Sequence, residues 1–382
     1  MTLLSDSRIF LDYQSTTPVD QRVVEVMLPY FLSEFGNPHS AEHSFGLRAM
    51  EAVERALECL AKVINADAGD IVITSGATES NNMALRGAVS GKKRLHIVSS
   101  ATEHRSILGT LSAIQDEGHA VSLIEVDDEG LIDLDALHAA IRPNTRLVSI
   151  MAVNSEIGVV QPYADIGAIC RSRDVLFHVD AAQGFGRVPI DVLRDHIDLL
   201  SVSAHKIYGP KGVGALYIGP RAKKVIRPLI TGGGQQDGWR AGTLPTPLVV
   251  GFGAAADLML KEGDAELKRI AMLGDRLWRG LIDQIGSVHL NGSADRRYAG
   301  NLNVRIDGVD ADSLLLLLPD IALSTGSACT SGTPEPSAVL RALGLSVEEA
   351  RQSVRIGLGR MTTVDEVDEA VRRIASAVQQ LR

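Results

Sequence analysis

The chain has 382 residues, of which 45% are hydrophobic and 22% charged, and its net charge is −9. This composition is typical of a globular protein with about two domains. The basic residues are scattered, which argues against direct nucleic-acid binding, because phosphate recognition needs clustered Lys and Arg. No apolar run approaches the ~20 residues of a membrane helix, and charges interrupt the N-terminal region where a signal peptide needs an apolar core. We therefore expect a cytoplasmic protein that acts on small molecules or protein partners and does not insert into a membrane.

The strand patterns predict two domains. Short β-branched runs alternate with helical patterns at 71–74, 95–99, 121–126, 146–153, 175–180, 197–202 and 213–218. Such alternation predicts an α/β domain with a mostly parallel, buried sheet. A long helical segment through 258–285, strand patterns at 301–306 and 353–357 and an amphipathic helix over 364–381 then predict a smaller α+β domain. We place the large domain at 16–260 and the small domain at 1–15 and 261–382.

The three cysteines form neither a disulfide framework nor the paired spacing of a zinc site, so we expect no metal centre. Cys59 and Cys170 fall among apolar positions of helical patterns, which is typical of buried thiols. Cys329 differs, because it lies in the small-residue segment Ser324-Thr-Gly-Ser-Ala-Cys-Thr-Ser-Gly332. This composition predicts a mobile, exposed loop that carries a thiol.

The first polar segment after a predicted strand is Thr74-Ser-Gly-Ala-Thr-Glu-Ser-Asn-Asn82. In doubly wound sheets, ligands collect beyond the carboxyl ends of the strands. Backbone N–H groups and the Thr78 hydroxyl are placed to hold a phosphate there, although a plain helix N-cap has the same pattern. No Gly-x-Gly-x-x-Gly follows a strand and no Walker-type sequence occurs, which disfavours dinucleotides and nucleoside triphosphates.

Three further side chains follow strands. His104 could stack on a planar cofactor and exchange protons near neutral pH, or it could be structural. Asp180 ends a hydrophobic strand, where a carboxylate pairs with a pyridinium nitrogen or caps a helix. Gln183, three residues later, is placed to donate to the phenolic oxygen of such a ring.

Lys206 lies in Ser203-Ala-His-Lys206, between two predicted strands. A lysine at a strand end, beside a hydroxyl and an imidazole, has the setting of a Schiff-base amine, although most loop lysines are solvated. The glycine-rich segment 232–243 either brings backbone close to a ligand or forms a surface turn. Arg355, in Ser353-Val-Arg-Ile-Gly357, either holds a carboxylate through two parallel hydrogen bonds or is a solvated or salt-bridged arginine.

In order and spacing, these segments resemble the class V aminotransferases and, more narrowly, the cysteine desulfurases of the nitrogen-fixation and iron-sulfur-cluster type. The similarity runs from Phe10-Leu-Asp-Tyr13 to the last helix. It is carried by 74–81, 102–104, 178–180, 203–206, 233–243, 327–331 and Arg355. The resemblance implies the pyridoxal-phosphate-dependent transferase fold of type I, with a large domain built on a mostly parallel mixed sheet and a smaller α+β domain that carries the Cys329 loop.

The resemblance also implies the cofactor and the residues that bind it. Pyridoxal 5′-phosphate would be bound covalently by Lys206, pair with Asp180 at its ring nitrogen, stack on His104 and face Gln183 at its phenolic oxygen. The implied phosphate contacts are Ala77, Thr78, Ser203, His205 and, from the second subunit of a homodimer, Thr243. Asn154 is a further expected contact for cofactor and substrate. The chain departs from the family at Ser155, where a second asparagine is common and contacts cofactor or substrate.

The activity that the resemblance implies is the removal of sulfur from L-cysteine. Arg355 would bind the cysteine carboxylate, and Lys206, His104 and Cys329 would be catalytic. The Cys329 thiolate would take the sulfur as a persulfide, release alanine and pass the sulfur to an acceptor protein. In the family this sulfur serves iron-sulfur clusters, tRNA thiolation or DNA phosphorothioation, and Cys329 could transiently ligate an iron-sulfur cluster.

Two alternatives remain open at this point. The same lysine would serve a class V aminotransferase or a selenocysteine lyase, but transamination needs no mobile thiol such as Cys329. A catalytically silent binding partner is the alternative from another class of protein, and the joint presence of Lys206, Asp180, Cys329 and Arg355 argues against it.

Overall fold

The protein is built from twelve strands and thirteen helices within residues 8–92, 94–325 and 336–382, the part of the chain that the computed structural model describes. The strands are β1 (Ile9–Phe10), β2 (Ile71–Thr74), β3 (His96–Ser100), β4 (Ala120–Ile124), β5 (Thr145–Met151), β6 (Leu176–Asp180), β7 (Leu199–Ser203), β8 (Gly214–Ile218), β9 (Val288–Leu290), β10 (Asn301–Ile306), β11 (Ile321–Ala322) and β12 (Ser353–Gly357). The helices are α1 (Gln21–Met27), α2 (Pro29–Leu32), α3 (Ser44–Val63), α4 (Ala77–Val89), α5 (Arg105–Asp116), α6 (Leu134–Ala140), α7 (Tyr163–Ser172), α8 (Pro220–Lys223), α9 (Thr246–Ile285), α10 (Ala311–Leu317), α11 (Ala338–Ala342), α12 (Val347–Arg351) and α13 (Val364–Leu381).

Seven strands form one mixed sheet in the order β2-β8-β7-β6-β5-β3-β4. β8 is antiparallel to both of its neighbours, and the remaining neighbours are parallel. Every strand of this sheet coincides with a predicted apolar run, because strands covered on both faces are almost continuously hydrophobic. The predicted α/β fold class is confirmed.

Two smaller sheets involve the two ends of the chain. β12, β10 and β9 form an antiparallel sheet, and β1 pairs in parallel with β11. The two-residue strands β1 and β11 carry no hydrophobic period, so the sequence did not predict them.

Two large hydrophobic clusters lie along the chain. One covers one face of the seven-stranded sheet and includes Phe177, Phe185 and Phe252. The other joins β1, the second half of α9, β10, β12 and α13. Helix α9 begins at Thr246, twelve residues before the predicted 258–285 segment, and contributes to both clusters. The clusters support the division near residue 260, which stays a prediction.

The cysteine thiols differ in burial within the described residues. Cys170 is buried, as predicted, and burial raises its pKa to about 12. Cys59 is less buried than predicted and packs against the cluster that covers the large sheet. Cys329 and the rest of its predicted loop from residue 326 onward lie outside the described residues. Ser324, the first residue of that loop, is buried and pairs with Arg355.

Among the helices of the described residues, none combines the length and the apolarity needed to cross a membrane. The same part of the chain contains no group of three or more His, Cys, Asp or Glu side chains arranged to hold a metal ion.

Candidate active site

A cavity of about 630 Å³ opens at the carboxyl ends of the parallel strands. Its volume lies in the range of small-molecule and cofactor sites. The sequence-predicted residues that line it are Ala77, Thr78, His104, Asp180, Gln183, Ser203, His205, Lys206 and Arg355. Arg355 comes from β12, whereas the others follow strands of the seven-stranded sheet. The cavity therefore lies where the two sheets meet.

Lys206 is held at the end of a short turn that follows β7. Its Nζ donates hydrogen bonds to the carbonyl oxygens of Gln14, at 2.5 Å, and Ser15, at 2.8 Å. Burial lowers the pKa of Lys206 to about 7, and the positive charges of Arg187 and Arg355 act in the same direction. A large fraction of this amine is uncharged near neutral pH, which is the nucleophilic form.

Asp180 is fixed by two donors at the end of β6. Its Oδ2 accepts a hydrogen bond from Asn81 Nδ2 at 2.7 Å, and its Oδ1 accepts one from the Ala182 N–H at 2.9 Å. The residue is 5% exposed and faces the cavity. A carboxylate with both oxygens anchored presents a fixed negative charge to a cationic ring nitrogen.

Glu103 lies beside Asp180 and is almost completely buried. Its Oε1 accepts from the Met151 N–H at 2.6 Å, and its Oε2 has no hydrogen-bond partner among the described residues. Burial and the nearby Asp180 raise the pKa of Glu103 well above its usual range. Both effects favour the protonated form of Glu103.

His104 caps the N-terminus of α5 with its own ring. Its Nδ1 accepts a hydrogen bond from the Ser106 N–H at 3.1 Å and lies 2.8 Å from the Ser106 hydroxyl. Since Nδ1 accepts from a backbone donor, the neutral ring carries its proton on Nε2. The cap therefore fixes both the ring position and the tautomer.

The opposite end of the cavity is suited to an anion. Helix α4 begins at Ala77 with no side-chain cap, and Gly76 before it has a φ of +151°, a conformation that favours glycine. The first N–H groups of α4 carry the positive end of the helix dipole. Ser203 and His205 line the same region. Burial lowers the pKa of His205 to about 4, so this ring is neutral at physiological pH.

Arg355 is buried at the third side of the cavity. Its Nη2 donates to Asp12 Oδ1 at 2.8 Å and its Nη1 to the Ser155 carbonyl oxygen at 3.1 Å. Its Nε is buried and has no partner among the described residues. The backbone of Arg355 also exchanges hydrogen bonds with Ser324, which lies two residues before the undescribed segment that contains Cys329. The guanidinium is therefore fixed by two of its five N–H groups, which leaves further donors, Nε among them, for a ligand.

Gln183 is held by hydrogen bonds at both ends of its amide. Nε2 donates to the Gln14 carbonyl oxygen at 2.8 Å, and Oε1 accepts from Arg187 Nη1 at 2.9 Å. Nε2 has a second hydrogen, which is the donor that the predicted contact with a phenolic oxygen requires.

Of the predicted site residues that the structure describes, Asn154 and Thr243 do not line this cavity. Asn154 is buried, its Oδ1 accepts from the Glu156 and Ile157 N–H groups, and its Nδ2 donates to the Thr102 carbonyl oxygen. Ser155, the position that departs from the family, does line the cavity. Thr243 is exposed and lies outside the cavity lining, so in this chain it is available to a second subunit.

The sequence interpretation missed several residues that shape the site. They are Asp12, Gln14, Asn81, Glu103 and Arg187. Asn81 and Glu103 stand in segments that carry the family resemblance, and Arg187 follows Gln183 by four residues in the turns after β6. Their roles depend on partners far along the chain, such as the 99-residue separation of Asn81 and Asp180.

The donors in this cavity fit pyridoxal 5′-phosphate. An uncharged amine suits an aldehyde, an anchored carboxylate suits a pyridinium, and the uncapped start of α4 suits a phosphate. Glu103 Oε2 and Arg355 Nε are buried, unpartnered within the described part of the chain and belong to lining residues. Buried polar atoms are normally paired, so these two indicate a site that a ligand completes.

Comparisons with known proteins agree with this geometry. Residues 9–370 match the family model described as aminotransferase class-V. The cysteine desulfurase IscS of Rickettsia typhi is 50% identical over 376 residues, which cover 98% of this chain and 92% of that protein. A solved structure described as a NifS-like protein has a TM-score of 0.90 at 33% identity and covers 98% of this chain and 100% of its own. A second solved structure, described as SspA in complex with cysteine, has a TM-score of 0.84 at 38% identity. The match covers 93% of this chain and 100% of that one. The chain therefore belongs to the class-V aminotransferase family.

Proposed function

We propose that the protein is a cysteine desulfurase that removes sulfur from L-cysteine with pyridoxal 5′-phosphate as its cofactor. The observation that carries the proposal is the presence in one cavity of a lysine of lowered pKa, an anchored carboxylate and an arginine with a donor to spare: Lys206, Asp180 and Arg355. The cysteine desulfurases to which the chain is 50% identical over nearly its whole length supply the substrate class.

The polar groups around the cavity are proposed to orient the cofactor. When bound, pyridoxal 5′-phosphate supplies a ring that withdraws electrons from the substrate α-carbon. Asp180 holds a proton at the ring nitrogen, and His104 stacks on the ring. Gln183 donates its second amide hydrogen to the phenolic oxygen. The contacts assigned to the phosphate are Ala77, Thr78, Ser203, His205 and, from a partner subunit, Thr243.

Lys206 and Arg355 are proposed to act on the substrate. Arg355 binds the cysteine carboxylate through Nε and one further N–H, because Asp12 and Ser155 hold the guanidinium in place. Lys206 would hold the cofactor through Nζ, and the same atom would move the α-proton of cysteine. The predicted contact of Asn154 would need its second Nδ2 hydrogen, since the other donates to Thr102.

Cys329 is proposed as the sulfur acceptor. Its thiolate attacks the substrate sulfur, so a sulfur–sulfur bond forms as the carbon–sulfur bond of cysteine breaks. Cysteine and the Cys329 thiol become alanine and a Cys329 persulfide, which balances all atoms. The persulfide then passes its outer sulfur to an acceptor protein, for which we propose a component of iron-sulfur cluster assembly, as the names of the relatives suggest. A reducing compartment such as the cytoplasm suits a carrier of this kind.

The proposal is tested by incubating the purified protein with L-cysteine and a thiol reductant, with alanine and sulfide measured together. Equal amounts of both products are expected. Transfer of the amino group to a 2-oxo acid without sulfide would instead identify an aminotransferase, and no reaction with a fully loaded cofactor site would identify a silent binding protein. Cys59→Ser is the matched control, because this thiol lies outside the cavity lining.

A homodimer is proposed from the exposed surface as well as from the family. Large apolar side chains are exposed around α2, with Phe31 at 56%, Leu32 at 76% and Phe35 at 66% exposure. Contiguous apolar surface of this kind marks an interaction site. Thr243 is exposed too, which agrees with a contribution to the site of the other subunit.

Mixed dimers test the shared site. One subunit carries Lys206→Ala and the other carries Thr243→Ala. If Thr243 serves the partner, the mixed dimer retains one site with both residues intact and about half of the wild-type activity. If Thr243 serves its own subunit, one site lacks Lys206 and the other lacks Thr243, so the activity falls to about half that of the Thr243→Ala homodimer.

A further inference from the structure

Arg187 is a buried cation without a carboxylate partner. It is 6% exposed, and no ion pair involves it among the residues that the structure describes. Buried charges are normally paired, because removing them from water is costly. Its guanidinium carbon lies 5.2 Å from the centre of the Tyr298 ring, which provides a cation–π contact in place of an ion pair.

The guanidinium joins two residues of the proposed site. Nη1 donates to Gln183 Oε1, and Nη2 donates to the carbonyl oxygen of Lys206. An arginine can only donate hydrogen bonds, so the atom of Gln183 that faces Arg187 must be the acceptor Oε1. The Gln183 amide therefore cannot flip, and its Nε2 faces Gln14 and the cavity. The second bond fixes the main chain of the turn from which the Lys206 side chain extends.

We propose that Arg187 is a positioning residue of the site, which locks the Gln183 amide and the Lys206 main chain to one guanidinium and thereby aligns both with the cofactor. The inference deepens the proposed function, because it rests on the roles assigned there to Lys206 and Gln183. Arg187 itself does not line the cavity and touches neither substrate nor cofactor.

The charge of Arg187 adds a second effect on Lys206. After burial, Arg187 is the largest cause of the lowered pKa of Lys206. The other charged groups that act on Lys206 are Arg355, Asp12 and Asp180. Removing the Arg187 charge therefore raises the pKa of Lys206 and reduces the uncharged amine near neutral pH.

The test uses the apoenzyme, so that it does not depend on desulfurase activity. Labelling of Lys206 by an amine-reactive reagent is followed against pH by mass spectrometry, in the wild type and in Arg187→Met and Arg187→Gln. Both variants lose the charge, and we expect the labelling midpoint to rise by about one pH unit, the size typical of losing a nearby like charge. An unchanged midpoint in the folded variants overturns the proposal and leaves Arg187 a packing residue.

Arg187→Lys separates position from charge. Lysine keeps the charge but lacks the fork that reaches two acceptors in different directions. We expect an unchanged midpoint in the apoenzyme and, in the holoenzyme, a kcat at least about tenfold lower with little change in KM, as for a loss of alignment. An unchanged kcat contradicts the positioning role even if the other variants do not fold.

Arg297→Met is the matched control. Arg297 is also largely buried and donates to main-chain carbonyl oxygens, those of Ser293, Ile157 and Asn301, but it does not contact Lys206 or Gln183. Its loss should affect stability and leave the labelling midpoint at the wild-type value. A midpoint shift in this control as large as that of Arg187→Met would assign the effect to loosened packing and overturn the proposal. A wild-type protein without desulfurase activity, together with the expected midpoint shift in the Arg187 variants, would instead count against the proposed function and leave the effect on Lys206 intact.

Discussion

Lys206 and Arg355 show how burial changes the chemistry of single residues. Both lie on polar segments that the sequence marks as candidates, and each also had an ordinary solvated interpretation. Burial excludes the solvated interpretation for both, and it lowers the pKa of Lys206. Arg355 does form a salt bridge, with Asp12, but its buried Nε has no partner within the described residues. Residue type and local order predicted the candidates. The residues that tune them, such as Asn81, Glu103 and Arg187, could not be predicted because their partners are brought together only by the fold.

The lowered pKa of Lys206 predicts the pH dependence of cofactor binding. The amine reacts with an aldehyde only when it is uncharged, so the rate at which apoenzyme takes up pyridoxal 5′-phosphate should rise with pH through about 7 and then level off. Stopped-flow absorbance measures this rate. A midpoint near the value of a solvated lysine would show that Lys206 is not desolvated.

The fixed geometry of Arg355 predicts a defect in substrate binding. Arg355→Lys keeps a charge but loses the planar pair of donors, so KM for L-cysteine should rise by roughly tenfold or more, as expected for ~1.5–3 kcal/mol. Steady-state kinetics measures it. Arg305→Lys is the control, because Arg305 lies on the neighbouring strand and pairs with Asp307 and Glu349 away from the cavity. Equal effects of both substitutions would contradict a role in carboxylate binding.

Some of the elements that position the site can be predicted from the sequence, and others cannot. The seven strands of the large sheet could be predicted from the sequence, because strands that are covered on both faces form short, mainly apolar runs. The early start of α9 and the short pair β1 and β11 were not visible, since their formation depends on packing at the junction of the two clusters. The turn between β2 and α4 could be predicted only in part. Its polar segment was predicted, whereas the close approach of β8, where a Cβ on Gly214 would lie 2.6 Å from Gly76 Cα, needed the structure.

Gly76→Ala tests the start of α4. The positive φ of Gly76 is strained for alanine, by an amount on the order of 1–3 kcal/mol. We expect lower thermal stability and weaker cofactor retention, measured by calorimetry and by dialysis against buffer without cofactor. Gly69→Ala is the control, because a Cβ there meets no atom within 4 Å. If the two variants behaved alike, the uncapped helix start would not be the phosphate site.

An apolar surface around α2 is exposed to solvent in the single chain. Leu32 is 76% exposed there, and Leu316, on α10, is 82% exposed at another surface. Composition predicted an ordinary globular protein, and only the three-dimensional arrangement shows that Phe31, Leu32 and Phe35 are exposed together.

Leu32→Asp should therefore weaken a homodimer, because a carboxylate would be buried in an apolar interface. Analytical ultracentrifugation measures the shift to monomer, and we expect cofactor retention to fall with it if Thr243 completes the partner's site. Leu316→Asp is the matched control and should stay dimeric. A wild-type protein that is monomeric at micromolar concentration would contradict both the dimer and the shared site.

The proposed activity requires that sulfur leaves L-cysteine and is carried by Cys329. The most direct measurement is peptide mass spectrometry of the holoenzyme after one turnover with L-cysteine and no reductant. We predict one additional sulfur atom on the peptide that contains Cys329, none on Cys59 or Cys170, and one alanine for each persulfide. Alanine and sulfide produced at the wild-type rate by Cys329→Ser, or an additional sulfur on another cysteine, would contradict the account.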